Sequence, residues 1–244
     1  MRRLTRRDLA FVLLALVMGV ACIRLGFWQL SRLAERKASN ALMAERMALP
    51  SLDLAQAVGS TDDLAFRMAE GEGVWDPTHE FLLANRSLAG APGAHLVTPF
   101  RPDGSDLSIL IDRGWISQES SNESARQEYR QEARVHVRGL LKPSQAEPTW
   151  AFLADPTPIP GGPPRQSWRV LHIPGVQQQT PYSLAPYFLE LTEAPASGHS
   201  PNPDPAIDLS EGPHLAYAIQ WFAFSAIALG GIGVWVRKRL RPAT

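Results

Sequence analysis

Two apolar stretches of 22 residues, at residues 9–30 and 215–236, lie near opposite ends of an otherwise polar chain. As a helix each stretch would be ~33 Å long at ~1.5 Å per residue, which matches a hydrocarbon core of ~30 Å. The sequence therefore predicts transmembrane helices at residues 9–30 and 214–236 and a water-exposed domain at residues 31–213. Two such spans place both termini on the same side of a membrane.

Basic residues indicate which side that is. Four arginines lie in the tail at residues 1–8, and four basic residues lie in the tail at residues 237–244. Three acids precede the second stretch: Asp204, Asp208 and Glu211. By the positive-inside rule both tails are cytoplasmic and the central domain is periplasmic. Three basic residues after the first stretch oppose this orientation, namely Arg32, Arg36 and Lys37, but the C-terminal tail decides because the two spans are linked.

The first stretch has an alternative interpretation as a cleaved signal peptide, with Cys22 becoming a lipid-modified residue. Gly19 is a poor residue three positions before such a cysteine, and the apolar run continues to Leu30. A membrane anchor is the better interpretation. Eight preceding residues are too few for a mitochondrial presequence rich in Arg and Ser, which favours the inner membrane of a bacterium.

Composition excludes several functions. The chain has 24 basic and 24 acidic residues, but the basic tails leave an acidic excess between the apolar stretches, which argues against nucleic acid as a partner. The single cysteine excludes an intramolecular disulfide and the cysteine pair of a copper chaperone or thiol oxidoreductase. The six histidines contain no His-x-x-x-His pair, so a metal site built only from protein ligands is not expected.

The central domain is predicted to be rich in β-structure. A helix at residues 31–48 continues the first span and stops before Pro50. Asp103-Gly104 predicts a hairpin turn. Residues 118–132 suggest a short helix or excursion, and the Pro-rich segments at residues 143–164 and 195–213 suggest long loops. Strands are predicted at residues 65–74, 80–86, 95–101, 107–113, 134–141, 167–173 and 186–191, which together indicate a mainly antiparallel barrel-like or sandwich domain.

No catalytic motif occurs in the central domain, so an enzyme is not expected. A Ser-His-Asp triad could be drawn from Ser108, His95 and Asp112, but any serine, histidine and aspartate can be combined in this way. Arg24 lies ~9 Å inside the first span, where a charge needs a partner or must reach the surface. Gln220 lies at the matching depth of the second span and is a candidate partner.

His214 opens the second span. Pro213 suits the first helical position, so His214 would lie in the first turn, where the helix dipole disfavours a cationic ring. A neutral imidazole is the form that binds iron. Tyr217 and Trp221 follow on the same helical face. The alternative, which the pattern alone favours, is an interfacial aromatic belt in which His214 only contacts lipid headgroups.

Several segments together resemble the surfeit locus protein 1 family, membrane factors for the assembly of cytochrome c oxidase. Individually they are weak, but their order and their placement between two spans are specific. They are GFWQL at residues 26–30 with Arg32 and Lys37, GVWD at residues 73–76, GAHLVTPF at residues 93–100, IDRGW at residues 111–115 and PHLAYAIQWF at residues 213–222.

This resemblance implies a non-enzymatic factor that binds haem a transiently and aids its insertion into oxidase subunit I. It also implies that His214 is the axial ligand of the haem iron, although Gly212-Pro213 replace the asparagines that often precede this histidine. Trp221, Tyr217, Arg24 and Trp28 are then the remaining candidates for haem binding. Partners would be subunit I, its assembly intermediates, haem a synthase and membrane lipid. Two alternatives stay open: a scaffold without a cofactor, and a membrane-anchored periplasmic enzyme.

Small residues predict how the two spans pack. Counting from the cytoplasmic ends brings Ala15 level with Gly230 and Gly19 level with Ala226, which would let the helix backbones approach closely. Trp28 and Trp221 would then hold the other halves apart and leave a slot for a ligand.

Overall fold

The computed structural model describes residues 5–60, 63–130, 134–146, 154–156, 158–159, 162–195, 200–203, 207 and 209–241. The chain divides into two compact units, one formed by Met1–Met43 with Asp208–Thr244 and the other by Ala44–Ile207. Several sequence predictions lie outside the described residues: those on Arg2, Arg3, Asp204 and Asp208, the last tail residues 242–244, and much of the two Pro-rich loops.

The structure contains five α-helices and eight strands within the described residues, besides three short 3-10 turns. In chain order they are α1 (Arg6–Met47), β1 (Leu52–Asp53), α2 (Leu54–Val58), β2 (Met68–Trp75), β3 (Phe81–Leu88), β4 (Ala91–Pro102), β5 (Ser108–Ser117), α3 (Glu123–Arg126), β6 (Val135–Pro143), β7 (Ser167–Trp168), α4 (Ile173–Gln177), β8 (Leu184–Leu191) and α5 (His214–Leu240).

The first unit is an antiparallel helix pair. Both α1, with 42 residues, and α5, with 27, are long and apolar enough to cross a membrane. The predicted helical extension of the first stretch is confirmed, since α1 runs without a break to Met47. Buried residues recur every seven positions on α5, at Ala218, Ser225 and Ile232. This spacing is that of a coiled-coil seam, and it defines the face of α5 that meets α1.

The second unit is a β-barrel. Strand β2 pairs with β6 on one side and, near its end, with β4 on the other. The ring is completed by the pairs β6–β8, β8–β5 and β5–β4. All of these pairs are antiparallel except β5–β8, so the expectation of a mainly antiparallel, barrel-like domain is confirmed.

The ring has a recognisable topology. Along the chain its five strands are β2, β4, β5, β6 and β8. Around the ring they follow one another as β2, β4, β5, β8 and β6, which is the order first, second, third, fifth and fourth. The third and fifth strands, β5 and β8, are parallel. That is the strand order of the OB fold, a five-stranded Greek-key barrel. Strand β3 extends the sheet beyond β4, β7 pairs with β3, and β1 pairs with β2.

Alternating side chains of the strands build two hydrophobic clusters. Ile109 and Ile111 of β5 belong to a cluster with α2, whereas Leu110 between them belongs to a second cluster with α4. Successive side chains of a strand point to opposite faces, so β5 serves both clusters. This explains why Ile109, Leu110 and Ile111 are all fully buried.

Each predicted strand overlaps a strand of the structure, but one is much shorter than predicted and two short elements were missed. Residues 167–173 form only the two-residue strand β7 before chain reversal at α4, because Pro174 suits a helix start and removes a strand donor. The sequence prediction also missed β1 and α2, which are too short to show a period. The hairpin is confirmed: β4 and β5 pair around Gly104, whose φ is +80°.

Candidate functional site

Two glycines of α1 allow large side chains of α5 to pack closely. A Cβ at Gly19 would lie 2.5 Å from Cδ2 of Leu229, and a Cβ at Gly26 would lie 2.6 Å from Cε1 of Phe222. Real Cβ contacts essentially never fall below 3.0 Å, so any larger residue would displace these partners. The hydroxyl of Ser225 donates to the carbonyl oxygen of Gly19 at 3.0 Å. These contacts fix the rotation and register of the helix pair.

The predicted small-residue pairs are wrong in their α5 members. Gly19 is buried as expected, but Ala226 and Gly230 are exposed. Each lies one residue, or about 100° of rotation, beyond a residue that faces α1. Counting from the ends of two apolar stretches estimates depth but not rotation, which is why the prediction failed.

The predicted slot between the helices is not formed by the tryptophans. Trp28 is 55 % exposed, and Phe222 instead of Trp221 packs over Gly26. Phe27 also contacts Phe222, with ring centroids 5.4 Å apart. The helices therefore stay in contact at the end of the pair that carries His214.

His214 is the first residue of α5. Pro213 precedes it as the N-cap, and the Pro213 carbonyl accepts from the backbone N–H of Tyr217 at 3.1 Å. The helix thus begins one residue later than the sequence predicted, but His214 still lies in its first turn.

Gln29 of α1 orients the His214 ring, a role that the sequence analysis did not assign. Its Oε1 lies 2.8 Å from Nδ1 of His214. A carbonyl oxygen only accepts, so this contact requires the proton on Nδ1, and in that tautomer Nε2 carries a lone pair. Within the described part of the chain, no hydrogen bond engages Nε2. A polar residue on the seam of an apolar helix was the signal that could have identified Gln29.

Gly212 lies beside the Nε2 edge of the ring and places no side chain against it. A Cβ there would lie 3.5 Å from Cδ2 and 3.7 Å from Nε2 of His214. Gly212 also has a φ of +67°, which favours glycine over other residues. The site therefore offers a nitrogen lone pair beside a residue that has no side chain.

The segment before His214 is held along α1. Asn40 donates through Nδ2 to the carbonyl oxygen of Leu209 at 2.6 Å, and Arg36 donates through Nε to that of Ser210 at 3.1 Å. Lys37 lies 3.3 Å from Glu211 in an exposed ion pair. The polar extension of α1 thus positions the start of α5, which gives Arg36 and Lys37 a structural role; Arg32 instead pairs with Glu35 of α1.

The other predicted site residues are not joined to His214. Trp221 is half-buried and contacts Phe224, with ring centroids 6.0 Å apart, whereas Tyr217 is exposed. Arg24 and Trp28 are exposed on α1. No hydrogen bond, ion pair or ring contact among the described side chains links Arg24 to Gln220.

In the barrel unit, His95 and Asp112 form a buried pair between β4 and β5. Nδ1 of His95 lies 2.9 Å from Oδ2 of Asp112, and the backbone N–H of Gly114 donates to Oδ1 at 3.0 Å. Ser108 lies four residues before Asp112 on the same extended strand, so ~13 Å separates them along β5. The hypothetical catalytic triad of Ser108, His95 and Asp112 is therefore not formed.

A buried ionic cluster lies around Glu80. Burial raises the pKa of Glu80, although Arg130, Arg126 and Arg113 all oppose this effect. Burial also lowers the pKa of Arg113 to about 10. Arg113 packs over the ring of Trp75 at 4.8 Å and donates to the carbonyl oxygen of Tyr129 at 2.7 Å. Arg113 thus joins the barrel to the short helical turns at residues 119–129.

A cavity of about 430 Å³ opens beside a second polar network, and Asp76 and Tyr182 both line it. Oδ2 of Asp76 accepts from the hydroxyl of Tyr182 at 2.5 Å and lies 2.6 Å from Nδ1 of His79. Burial opposes ionisation of Asp76, but these two hydrogen bonds, the electrostatic interaction with His79 and the backbone N–H of Thr78 together lower the pKa of the carboxyl. Burial and the hydrogen bond to Asp76 raise the pKa of Tyr182.

The chain that leads towards α5 is fastened to the barrel. The backbones of Trp115 and Asn202 exchange two hydrogen bonds, of 2.8 and 2.9 Å. A Cβ at Gly114 would overlap the carbonyl oxygen of Asn202, and Gly114 has a φ of +109°. Gly114 and Trp115 therefore form the point at which the segment around Asn202 attaches to the barrel. Among the described residues, no group of three or more His, Cys, Asp and Glu side chains could hold a metal ion.

Comparison with known proteins identifies the family. The sequence pattern of the SURF1 family matches residues 16–226. The chain belongs to the SURF1 family. It is 29% identical over 238 residues to a SURF1-like protein of Rickettsia felis, which covers 93% of this chain and 97% of that protein. It is 37% identical over 112 residues to a SURF1-like protein of Rickettsia bellii, covering 45% of each, and 24% identical over 247 residues to human Surfeit locus protein 1, covering 93% of this chain and 76% of the human protein.

The SURF1 family is a family of assembly factors for cytochrome c oxidase. The family-like segments of this member pair with one another in the structure. GAHLVTPF lies on β4 and IDRGW on the adjacent strand β5, where His95 meets Asp112. GFWQL and PHLAYAIQWF lie on α1 and α5, where Gln29 meets His214. Their common placement explains why weak motifs were informative together.

Proposed function

We propose that this member of the SURF1 family is an inner-membrane factor of a bacterium that binds haem a and aids its insertion into cytochrome c oxidase subunit I. Family membership supplies the general role in oxidase assembly. The observation that carries the finer proposal is the free Nε2 of His214 at the start of an apolar helix. Subunit I and its assembly intermediates are the partners, with haem a synthase as the donor side and membrane lipid around the helices.

The chemistry of His214 and of the predicted residues on α1 and α5 suits a haem. A histidine that would hold the haem iron needs a nitrogen lone pair. Nε2 has one when the proton is on Nδ1, and Gly212 places no side chain against this edge of the ring. Haem a is largely apolar with two propionates, so it needs apolar surface and nearby cationic groups. Exposed Tyr217 and Trp28, half-buried Trp221 and the cation of Arg24 provide such groups on the same two helices. Haem a would supply the iron porphyrin that the oxidase requires.

The contacts within the helix pair support a common side for both termini. Arg239 lies 3.6 Å from Asp8, and the rings of Phe11 and Trp235 lie 5.4 Å apart. The first turns of α1 and the last turns of α5 therefore lie at one end of the pair, and by the positive-inside rule we take that end as cytoplasmic. A reporter that is active only outside the cytoplasm should work when inserted between residues 195 and 200, and it should be inactive when fused after Thr244. Activity at Thr244 would contradict the two-span topology.

A visible spectrum tests the haem proposal. The full chain is purified in detergent from cells that make haem a and, as a control, from cells that make only protohaem. A Soret band with the absorbance of haem a in the first preparation supports the carrier role. Protein free of haem in both preparations, and unable to take up added haem a, would contradict it.

A scaffold without a cofactor is the second candidate. Three of the five family-like segments lie on β2, β4 and β5 of the barrel, and a carrier that used only the two helices would have no need of them. In this alternative the acidic barrel domain holds an intermediate of subunit I. Haem-free protein that still co-purifies with subunit I would favour the scaffold. A membrane-anchored enzyme has less support, since the candidate triad is not assembled.

A further inference from the structure

We infer that Gln29 is the positioning residue for His214, and that its neutral amide makes the histidine a releasable ligand. This inference rests on the proposed function, because it assigns Gln29 a role towards the haem iron. The amide would hold the proton on Nδ1 and direct Nε2 towards the ligand. A carboxylate in its place would do the same but bind the proton more strongly.

The position of Gln29 makes it a suitable support. It lies one turn after Gly26, which packs against Phe222, and one turn before the buried Leu33. Gln29 is itself half-buried, as is His214. The contacts on either side fix the helix that carries Gln29, so its Oε1 is held 2.8 Å from Nδ1 of His214. No other hydrogen bond to the His214 ring occurs among the residues that the structure describes.

Hydrogen-bond chemistry gives the amide a distinct effect. Histidines that bind metals usually donate their second N–H to an acceptor, which fixes the tautomer, orients the ring and raises its basicity. A carboxylate is the stronger acceptor, because charge-assisted hydrogen bonds are roughly twice as strong as neutral ones. An amide therefore orients the ring while strengthening the iron–nitrogen bond less. That balance suits a protein that must release its haem.

Three variants of position 29 test the tautomer without haem. The full chain is labelled with ¹⁵N-histidine and studied in detergent, where ring nitrogen shifts distinguish N–H from lone-pair nitrogen. The natural protein and Gln29→Glu should keep the Nδ1 proton of His214. Gln29→Leu should lose this preference, and Gln220→Leu, which removes an exposed amide from α5, should keep it.

Titration with haem a tests the role towards iron. Gln29→Leu should bind haem a about tenfold more weakly or worse, the usual loss on removing such a partner. Gln29→Glu should bind more tightly, release haem a more slowly to an acceptor such as apomyoglobin, and shift the iron midpoint potential to a lower value. Gln220→Leu should match the natural protein in all three measurements.

The outcomes separate this inference from the proposed function. If the natural protein binds haem a and Gln29→Leu binds it equally well, or keeps the Nδ1 proton, the role of Gln29 is overturned while the carrier role stands. If the natural protein binds no haem a, the carrier role is overturned together with the role of Gln29 towards iron. A Gln29→Glu variant that releases haem as fast as the natural protein would overturn the claim about releasable binding.

Discussion

Replacing Gly114 with alanine should loosen the segment that connects the barrel to α5. An alanine at a φ of +109° costs about 1–2 kcal/mol because its side chain disfavours the left-handed region. Its Cβ would also overlap the carbonyl oxygen of Asn202, so the two backbone hydrogen bonds between Trp115 and Asn202 must break. Each contributes about 1 kcal/mol, which brings the expected loss in the free energy of unfolding to about 3–4 kcal/mol.

Gly104→Ala is the matched control. Gly104 has a φ of +80°, but no described atom lies within 4 Å of the position that a Cβ would occupy. It should therefore lose only about 1–2 kcal/mol from the backbone conformation. The difference of about 2 kcal/mol between the variants measures the contact with Asn202. At about 2–4 °C per kcal/mol it corresponds to a difference in Tm of about 4–8 °C.

Thermal unfolding of the full chain in detergent, followed by circular dichroism of the strands, measures this difference. Amide hydrogen exchange provides a local readout. The N–H groups of Trp115 and Asn202 should exchange faster in Gly114→Ala than in the natural protein, and their exchange rates should be unchanged in Gly104→Ala. Equal Tm values for the two variants, with unchanged exchange at Asn202, would refute the docking role of Gly114.

Three further predictions concern other contacts. Because burial raises the pKa of Glu80, the folded state holds its proton more tightly than the unfolded state does. The contribution of Glu80 to stability is therefore fully present below its unfolded pKa and is lost as the pH rises through its folded pKa. Denaturant titrations from pH 4 upward should show this loss relative to Glu80→Gln. Parallel curves of unfolding free energy against pH for the two proteins would contradict it. Tyr182→Phe removes a hydrogen bond that lowers the pKa of Asp76, so the folded-state pKa of Asp76 should rise, as carboxyl NMR titration would measure. The stability that Asp76 provides above its unfolded pKa should then be lost at a higher pH during acidification. With Cys22 replaced, cysteine pairs at positions 19 with 229 and 26 with 222 should crosslink readily, whereas the exposed pair at 20 with 230 should not; equal crosslinking of all three pairs would contradict the helix register.

The large elements of this chain could be predicted because their signals are long or local. The two apolar stretches are long enough to identify a helix, and α1 and α5 contain them. Asp103-Gly104 is a strong local turn signal, and a hairpin lies there. Short elements gave no such signal: α2 has five residues and β1 has two, so neither spans a full helical or strand pattern.

The candidate site was only partly predictable, because pairing of distant residues depends on helix rotation. His214 could be identified by its place before an apolar helix, whereas its partner Gln29 lies 185 residues away along the chain. Gln220 was only a candidate partner for Arg24, and both side chains are exposed in the structure. Equal depth in two helices does not bring side chains together unless both lie on the contact face, which here contains Gly26 and Phe222.

The most direct test of the central claim is the spectrum of His214→Ala with and without added imidazole. The natural protein, His214→Ala and His136→Ala, an exposed histidine of β6, are purified in detergent and loaded with equal amounts of haem a. We expect the natural protein and His136→Ala to give the same spectrum of histidine-ligated haem a, and His214→Ala to lose it while keeping the folded barrel. Added imidazole should restore the spectrum of His214→Ala by filling the space of the missing ring. Retention of the histidine-ligated spectrum by His214→Ala without imidazole, at equal protein and haem levels, would contradict the assignment of His214 as the haem ligand.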